Sequence, residues 1–467
     1  MTSNVLAYAY AQPSVVRASA RGPVLGLETS GGLTPAGPVA RPRFYSGFLT
    51  RPQVAAAGLL AVADVAAARY YRPELARLRD PVVTAQGDRL RFESFSGCGG
   101  VYARLDVLGE GLDGGEIRHG TTNVDINNPL RDALTRIGGD DPMHLRVGPE
   151  EMAVTTVDGA VVEKKVPLPE RWLRGFAETQ VSSAGFDLRA ELGAAETVRF
   201  VRGLPRTARP GSGPQWLVPA GRGLRPTSRP VPGAVCLPGP WRLGPLTRVL
   251  RHATGMRLYG PPVGPGSPPP PGAWEVTLPG MRLTLVLSPG VSRGFSGEGG
   301  VLDALAGDEA AGDAELIAVL LAWEPRIDPD GLAAQSGLPR ERVRAALTRL
   351  GTAGRVGYDT AEAAYFHREL PYDAQRAERH NPRLVAARAL VGEGAVALRT
   401  GPGASDGPVA AVRSGDRTHL VRLAPDLRAL SCTCAWWTDH HGQRGPCKHA
   451  LATRIAHVRD SAPLEPR

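Results

Sequence analysis

The chain has 467 residues, room for about two to four domains with ample core. Its net charge of +9 ordinarily points to nucleic acid. Of the 55 basic residues, however, only Lys164, Lys165 and Lys448 are lysine, and with abundant Ala, Gly and Pro this reads as the codon bias of a GC-rich bacterial genome. Five cysteines exclude a disulfide-built secreted protein. Residues 1–22 lack a signal peptide's basic start and apolar core. The most apolar stretch, Val54–Tyr71, carries Asp64 and Arg69, so it reads as a buried or amphipathic helix and not a membrane span. A cytoplasmic protein is expected, with no membrane partner.

In chain order, residues 1–47 are rich in Gly, Pro, Ser and Ala without a sustained period, and an unstructured arm is expected. Residues 48–206 read as an α+β domain. Its expected elements are a helix over Arg51–Tyr71 and strands at Leu90–Ser96, Val101–Val107 and Glu116–Ile126. A helix over Pro129–Ile137 follows, then strands at Met143–Val147, Met152–Val157 and Val161–Val166, the last two joined across Asp158-Gly159. A helix over Glu170–Glu178 and strands at Phe186–Leu192 and Thr197–Val201 complete it.

Two spots in this domain invite a chemical reading. Cys98, in Gly97-Cys98-Gly99-Gly100, has the small neighbours of an exposed nucleophile, but a base and an electropositive setting are also required. His119 and His144 are the candidates, and a plain hairpin turn is the competing account. Gly120-Thr121-Thr122-Asn123-Val124-Asp125 offers hydroxyls and a carboxylate to a ligand, or ordinary turn chemistry.

Residues 207–300 are dominated by Pro and Gly, including a polyproline-like run over Gly264–Pro271 that suits a spacer or loop. Short strands are expected at Trp274–Leu278 and Met281–Leu287, and Cys236 reads as an ordinary thiol. Residues 301–372 show a sharper pattern. Leu316, Val319, Leu320 and Trp323 share one helix face. A short helix over Gly331–Ser336 is capped by Asp330 or a neighbour and closed by Gly337. Pro339 opens a third helix with Val343, Ala346, Leu347 and Leu350 inward and Arg340, Arg344 and Arg349 largely outward. Val356–Tyr358 and Ala364–Arg368 then suit a two-stranded wing. This order resembles winged helix-turn-helix domains in general. The resemblance implies either DNA binding, with the third helix in the major groove, or a protein contact.

A Pro-containing link over Arg368–Pro382 leads to residues 388–460. Strands are expected at Ala395–Arg399, Val409–Arg413, His419–Leu423 and Leu427–Cys432. The last delivers Cys432-Thr433-Cys434; twelve residues later comes Cys447-Lys448-His449. Two short ligand pairs joined by a loop are what a chain needs to wrap a tetrahedral zinc ion. A Cys-x-Cys pair suits a strand end, where residues i and i+2 point the same way. Cys447, Ala450, Leu451, Arg454, Ile455 and Val458 follow helical spacing, which puts Cys447 at a helix N-terminus that favours its thiolate. His440 and His441 in the loop are rival ligands.

The pattern Cys-x-Cys, loop, Cys-x-His resembles the SWIM-type zinc finger family. That resemblance covers about the last seventy residues and implies a ββα finger with Cys432, Cys434, Cys447 and His449 as ligands of one structural Zn(II) ion. It also implies a protein or DNA partner; bacterial members working in multi-protein assemblies favour a scaffold or regulatory role. Trp436 and Trp437 suit base stacking or a partner hot spot, at least one of them packing on the zinc lobe. Lys448, Arg444, Arg454 and Arg459 make the finger mildly basic.

The expected fold is therefore α+β and multidomain, and the expected role is a zinc-binding interaction module without catalysis. The alternative is an enzyme whose site lies in residues 48–206, targeted by the finger and the winged helix. Against it, the chain carries no Walker loop, zincin motif, nucleophile elbow or dinucleotide fingerprint. No small-molecule substrate is indicated.

Overall fold

The computed structural model describes residues 43–70, 81–166, 168, 170–208, 213–290, 309–321, 326–368, 370, 382–399, 407–425, 427–442 and 445–461. It also describes the backbone of two short hairpins, Val15–Ser19 with Gly22–Gly26 and Gly32–Thr34 with Gly37–Val39. Most of the expected arm, most of the link over 368–382, Trp323, Arg444 and the tail past 461 lie outside the described residues. The architecture is mixed α/β with several sheets. Among the described residues no helix is long and apolar enough to cross a membrane.

An eight-stranded antiparallel sheet is the centre of the molecule. Its strands run, edge to edge, His119–Asn123, Val82–Gln86, Arg89–Phe95, Val101–Leu108, Met281–Leu287, Gly272–Leu278, Gly255–Gly260 and Asp187–Gly193. The boundary expected at residue 206 therefore cuts through one sheet: Met281–Leu287 pairs along its whole length with Val101–Val107. Pro and Gly dominate this stretch because its connections are long, and the Gly264–Pro271 run lies in the loop between two adjacent strands, 255–260 and 272–278. Arg242 ties the same stretch down. Its buried guanidinium donates to the carbonyls of Pro238, Ser288 and Gly100, and burial lowers its pKa to about 10.

The period-two alternation of the strands separates the two sheet faces. Leu90, Phe92, Val101, Ala103, Leu105, Leu283 and Leu285 meet the helix Pro52–Ala67. That helix is alanine-rich and buried nearly all round, so it has no polar face. On its other flank lie the helix Asn128–Arg136 and a five-stranded sheet, which includes Tyr45–Leu49, a strand that begins inside the stretch expected to be an arm and runs past its end at residue 47. The hairpin Glu151–Thr156/Gly159–Lys164 forms as expected, with Gly159 at φ +118°.

One element has the wrong type. Thr197–Val201, expected as a strand, lies in the helix Ala194–Arg202. β-branched residues favour strands only weakly. Here Thr197 and Val201 lie four apart on the buried side, and the Thr197 hydroxyl donates to the Gly193 carbonyl, which offsets its poor helix propensity.

The opposite face of the central sheet carries Arg91, Glu93, Arg104, Asp106, Glu275 and Arg282, and these too are buried. They are covered by the helix Glu170–Ser183 and by the hairpin Val356–Asp359/Ala364–His367. Three helices precede that hairpin: Glu309–Leu320, Pro329–Ser336 and Arg340–Thr352. Asp328, not Asp330, caps the second, accepting from the Asp330 and Gly331 amides. Gly337 ends it at φ +71°, a left-handed conformation that favours glycine.

Asp359, in the hairpin, receives Arg104 at 3.0 Å, Arg282 at 2.9 Å, Arg91 at 3.3 Å and Arg89 at 3.7 Å. Burial alone would raise its pKa, but the four guanidiniums outweigh that and hold it well below the usual carboxylate range. Arg368, just past the hairpin, reaches Glu93 at 2.8 Å and lies 4.0 Å over the Phe176 ring.

Candidate metal centre

The C-terminal lobe is a four-stranded antiparallel sheet in sequence order, Val396–Arg399, Val409–Ser414, Arg417–Leu423 and Ala429–Cys432. One face packs on the helices Pro382–Gly392 and Lys448–Ser461. The first of these helices begins at Pro382, the last residue of the expected link, and was not expected as a helix. Its signal was present in Pro382 at the start followed by Leu384, Ala387 and Leu390, all buried.

Each ligand-type residue is placed at the end of a strand or the start of a helix. Cys432 is the last residue of its strand, opposite Val421. Cys434 caps the short helix Ala435–His440, its carbonyl accepting from the Trp437 and Thr438 amides at 3.0 Å. Cys447 immediately precedes the helix Lys448–Ser461, as the spacing predicts, and its sulfur accepts from the Ala450 amide at 3.4 Å. His449 follows in the first turn.

Cys432, Cys434, Cys447 and His449 are all buried, and their ligand atoms lie within 4.8 Å of one another. Cys432 Sγ is 3.8 Å from His449 Nδ1. Ligands about 2.0–2.3 Å from a tetrahedral ion sit about 3.6–3.8 Å apart, so this cluster can hold one metal ion with little rearrangement. Three sulfurs and one imidazole nitrogen form a donor set typical of zinc.

The electrostatics suit a cation. The Cys432 thiol donates to Cys447, and that bond, with the Ala450 amide, holds the Cys447 pKa down to about 4. The same bond pushes Cys432 up, and burial pushes Cys434 up. Cys447 is thus the most readily ionised of the three thiols, and a dication held by these residues would favour the thiolate form of all three.

His440 and His441 lie elsewhere. His440 packs edge-on against Trp436, with ring centroids 4.5 Å apart, and His441 ends the short helix at φ +45°. The ring that does reach the cluster is His419, tilted 32° against His449 with ring centroids 4.2 Å apart; it sits two residues before Val421, on the same strand, and was not singled out from sequence.

The remaining contact candidates are more enclosed than expected. Trp436 Nε1 donates to the Gly445 carbonyl, and the Arg383 guanidinium lies 4.6 Å over its ring. Trp437 packs against the same lobe core, and Lys448 is half-buried. In the 340–352 helix, Arg340 pairs with Asp330 at 2.9 Å and its neighbour Arg342 with Asp313 at 2.7 Å. Arg344 is exposed and Arg349 half-buried. The helix packs on Glu170–Ser183, where Gln180 donates to the Leu347 carbonyl at 3.0 Å.

The two other spots are occupied structurally. Cys98 sits in a turn beside Ser96, and hydrogen bonds from Ser96 and nearby amides, with the Arg242 charge, lower its pKa despite burial. His144 packs on Phe48 and His119 lies on an edge strand of the central sheet, so neither flanks Cys98 as a base. Thr122 donates to the Pro149 carbonyl and Asn123 to that of Val166. Cys236 is buried, its pKa pushed up to about 12.

No family model matches the chain. No curated protein matches its sequence. Among solved structures it aligns with proliferating cellular nuclear antigen from Entamoeba histolytica at 10% identity. That alignment spans 53% of this chain and 99% of the antigen, with a TM-score of 0.34, too loose to carry an assignment.

Proposed function

We propose that this chain is a zinc-folded interaction module whose partner is a protein, acting as a bacterial scaffold or regulatory component. Its C-terminal lobe is read as a SWIM-type finger in which Cys432, Cys434, Cys447 and His449 bind one Zn(II) ion. The observation that carries this reading is the buried Cys3His cluster with ligand atoms within 4.8 Å of one another. Four protein ligands leave no open coordination position, so the zinc is structural and its binding free energy goes into folding the lobe.

The segment from 309 to 367 is read as a winged helix used for protein contact. Its order of three helices and a hairpin supports the fold, and its surroundings favour protein over DNA. The hairpin is buried against the central sheet, and the third helix rests on Glu170–Ser183. These are the two elements such a domain would lay on a duplex.

The test is metal analysis of the purified full chain together with duplex titration. One zinc per chain, lost on Cys447→Ser, is expected. Duplex binding at low salt is expected to be weak, without the steep salt slope of many phosphate contacts. A metal-free native protein would sink the zinc reading, and tight salt-sensitive duplex binding would sink the choice of a protein partner.

A further inference from the structure

The outer face of the C-terminal sheet, opposite the metal centre, has no cover among the described elements. The register sorts its side chains into three cross-strand rows. Ala397, Ala411 and Leu420 form the middle row. Arg399, Val409 and Arg422 form the row on one side, and Arg413 with Thr418 the row on the other. Arg399, Arg413 and Arg422 are exposed, and Leu420 is 46% exposed. The four strands contain no acidic residue. None of the three arginines has an ion pair among the described residues.

We infer that this face is a docking surface for an acidic amphipathic helix of a protein partner. The inference rests on the reading of the lobe as a zinc-folded interaction module. Neighbouring rows are about 7 Å apart and Arg399 is about 10 Å from Arg422 across two strand spacings. A helix about 10 Å wide, laid across the strands along the middle row, buries an apolar stripe on Ala397, Ala411 and Leu420. Carboxylates flanking that stripe then reach guanidiniums on both sides, in the fork geometry that suits arginine.

The pattern is an apolar centre with a charged rim, as at protein interfaces. A phosphate backbone would use the arginines but leave the middle row unserved, and the face has no aromatic residue for a base to stack on. The face is small, about 300 Å² from strand spacing and rise, so the contact is a transient one.

The experiment measures fluorescence anisotropy of a labelled twenty-residue helical peptide with a leucine stripe flanked by glutamates, titrated with the full chain. A lysine-flanked version and a random single-stranded oligonucleotide are the comparison probes. The acidic peptide is expected to bind in the range of about 10–100 μM. Combining Arg399→Glu, Arg413→Glu and Arg422→Glu is expected to weaken it at least about tenfold and to favour the lysine-flanked peptide. Leu420→Ala is expected to weaken it by about threefold without changing its salt dependence.

Zinc content is measured on every preparation. Zinc at one per chain with no acidic-peptide binding overturns the docking inference alone, as does binding indifferent to the triple reversal. Preferential oligonucleotide binding lost on the reversal overturns the choice of partner. Absent zinc instead overturns the reading beneath it.

Discussion

Asp359 lies 3.0 Å from Arg104, although the two are 255 positions apart in the chain. The contact joins the 356–367 hairpin to the middle of the central sheet, with both side chains buried. On the sheet itself Arg91, Arg104 and Arg282 share the single carboxylate of Asp106. Docking of the hairpin supplies Asp359 to all three, and its turn supplies Glu362 to Arg282 as well.

Asp359→Ala is therefore expected to cost about 3–5 kcal/mol, the usual result of leaving buried charge uncompensated. Chemical denaturation gives the magnitude. Hydrogen exchange across Val356–His367 gives the location, and protection there should fall more than in the Pro52–Ala67 helix. Equal loss in both would show that the hairpin is not a separately released element.

Acid should act on the same seam. Burial holds the His367 pKa down to about 3, with Arg355 and His119 adding repulsion. The folded chain keeps this ring neutral, while the unfolded chain protonates it below about 6.5. Its contribution is full above that value and declines as pH falls toward 3, by up to about 1.4 kcal/mol per pH unit. Asp359, depressed in the folded state, adds a further loss only below about 3.9. Denaturation midpoints of the wild type and His367→Gln should diverge between pH 6.5 and 4, the variant having the flatter profile. Parallel profiles would refute the assignment.

Metal binding should depend on four residues and no others. Cys432→Ser, Cys434→Ser, Cys447→Ser and His449→Ala are each expected to lower zinc content and melt the lobe, read by circular dichroism and metal analysis. Cys98→Ser and Cys236→Ser should retain one zinc per chain. His440→Ala and His441→Ala should do the same, since neither ring lies in the cluster.

The seat of the 340–352 helix can be probed at Gly351. A Cβ there would overlap the Gln180 amide, whose nitrogen donates to the Leu347 carbonyl. Gly351→Ala is expected to destabilise by about 1–3 kcal/mol through overpacking and the lost hydrogen bond. Adding Gln180→Ala should recover part of that loss, since the two residues compete for one space. Strict additivity in the double-mutant cycle would argue that they do not touch.

The metal cluster was legible because its determinants are local. Two residues at a strand end and two at a helix start carry the ligands, and the intervening loop brings the pairs together. The choice of His449 over His440 and His441 needed the structure, because all three lie within reach by chain length. The helix Pro382–Gly392 was missed because an 11-residue run without a strong apolar period is a weak local signal. Thr197–Val201 was misread because its β-branched residues satisfy both periods until a neighbouring surface selects one.

By itself the sequence determined the clustering of three cysteines, the strands near Leu90–Ser96 and Val101–Val107 and the three-helix-and-hairpin order of 309–367, but not the neighbouring strand Val82–Gln86. Each follows from spacing within a few turns or one hairpin. Only the tertiary structure decided that residues 272–287 complete the sheet begun before residue 110, and that the charged face of that sheet is buried. An alternation such as Arg89-Leu90-Arg91-Phe92-Glu93 ordinarily reads as one wet face and one dry. Here the wet face is dry as well, because Asp359 and Arg368 arrive from far along the chain with the compensating charges, a pairing that no local period encodes.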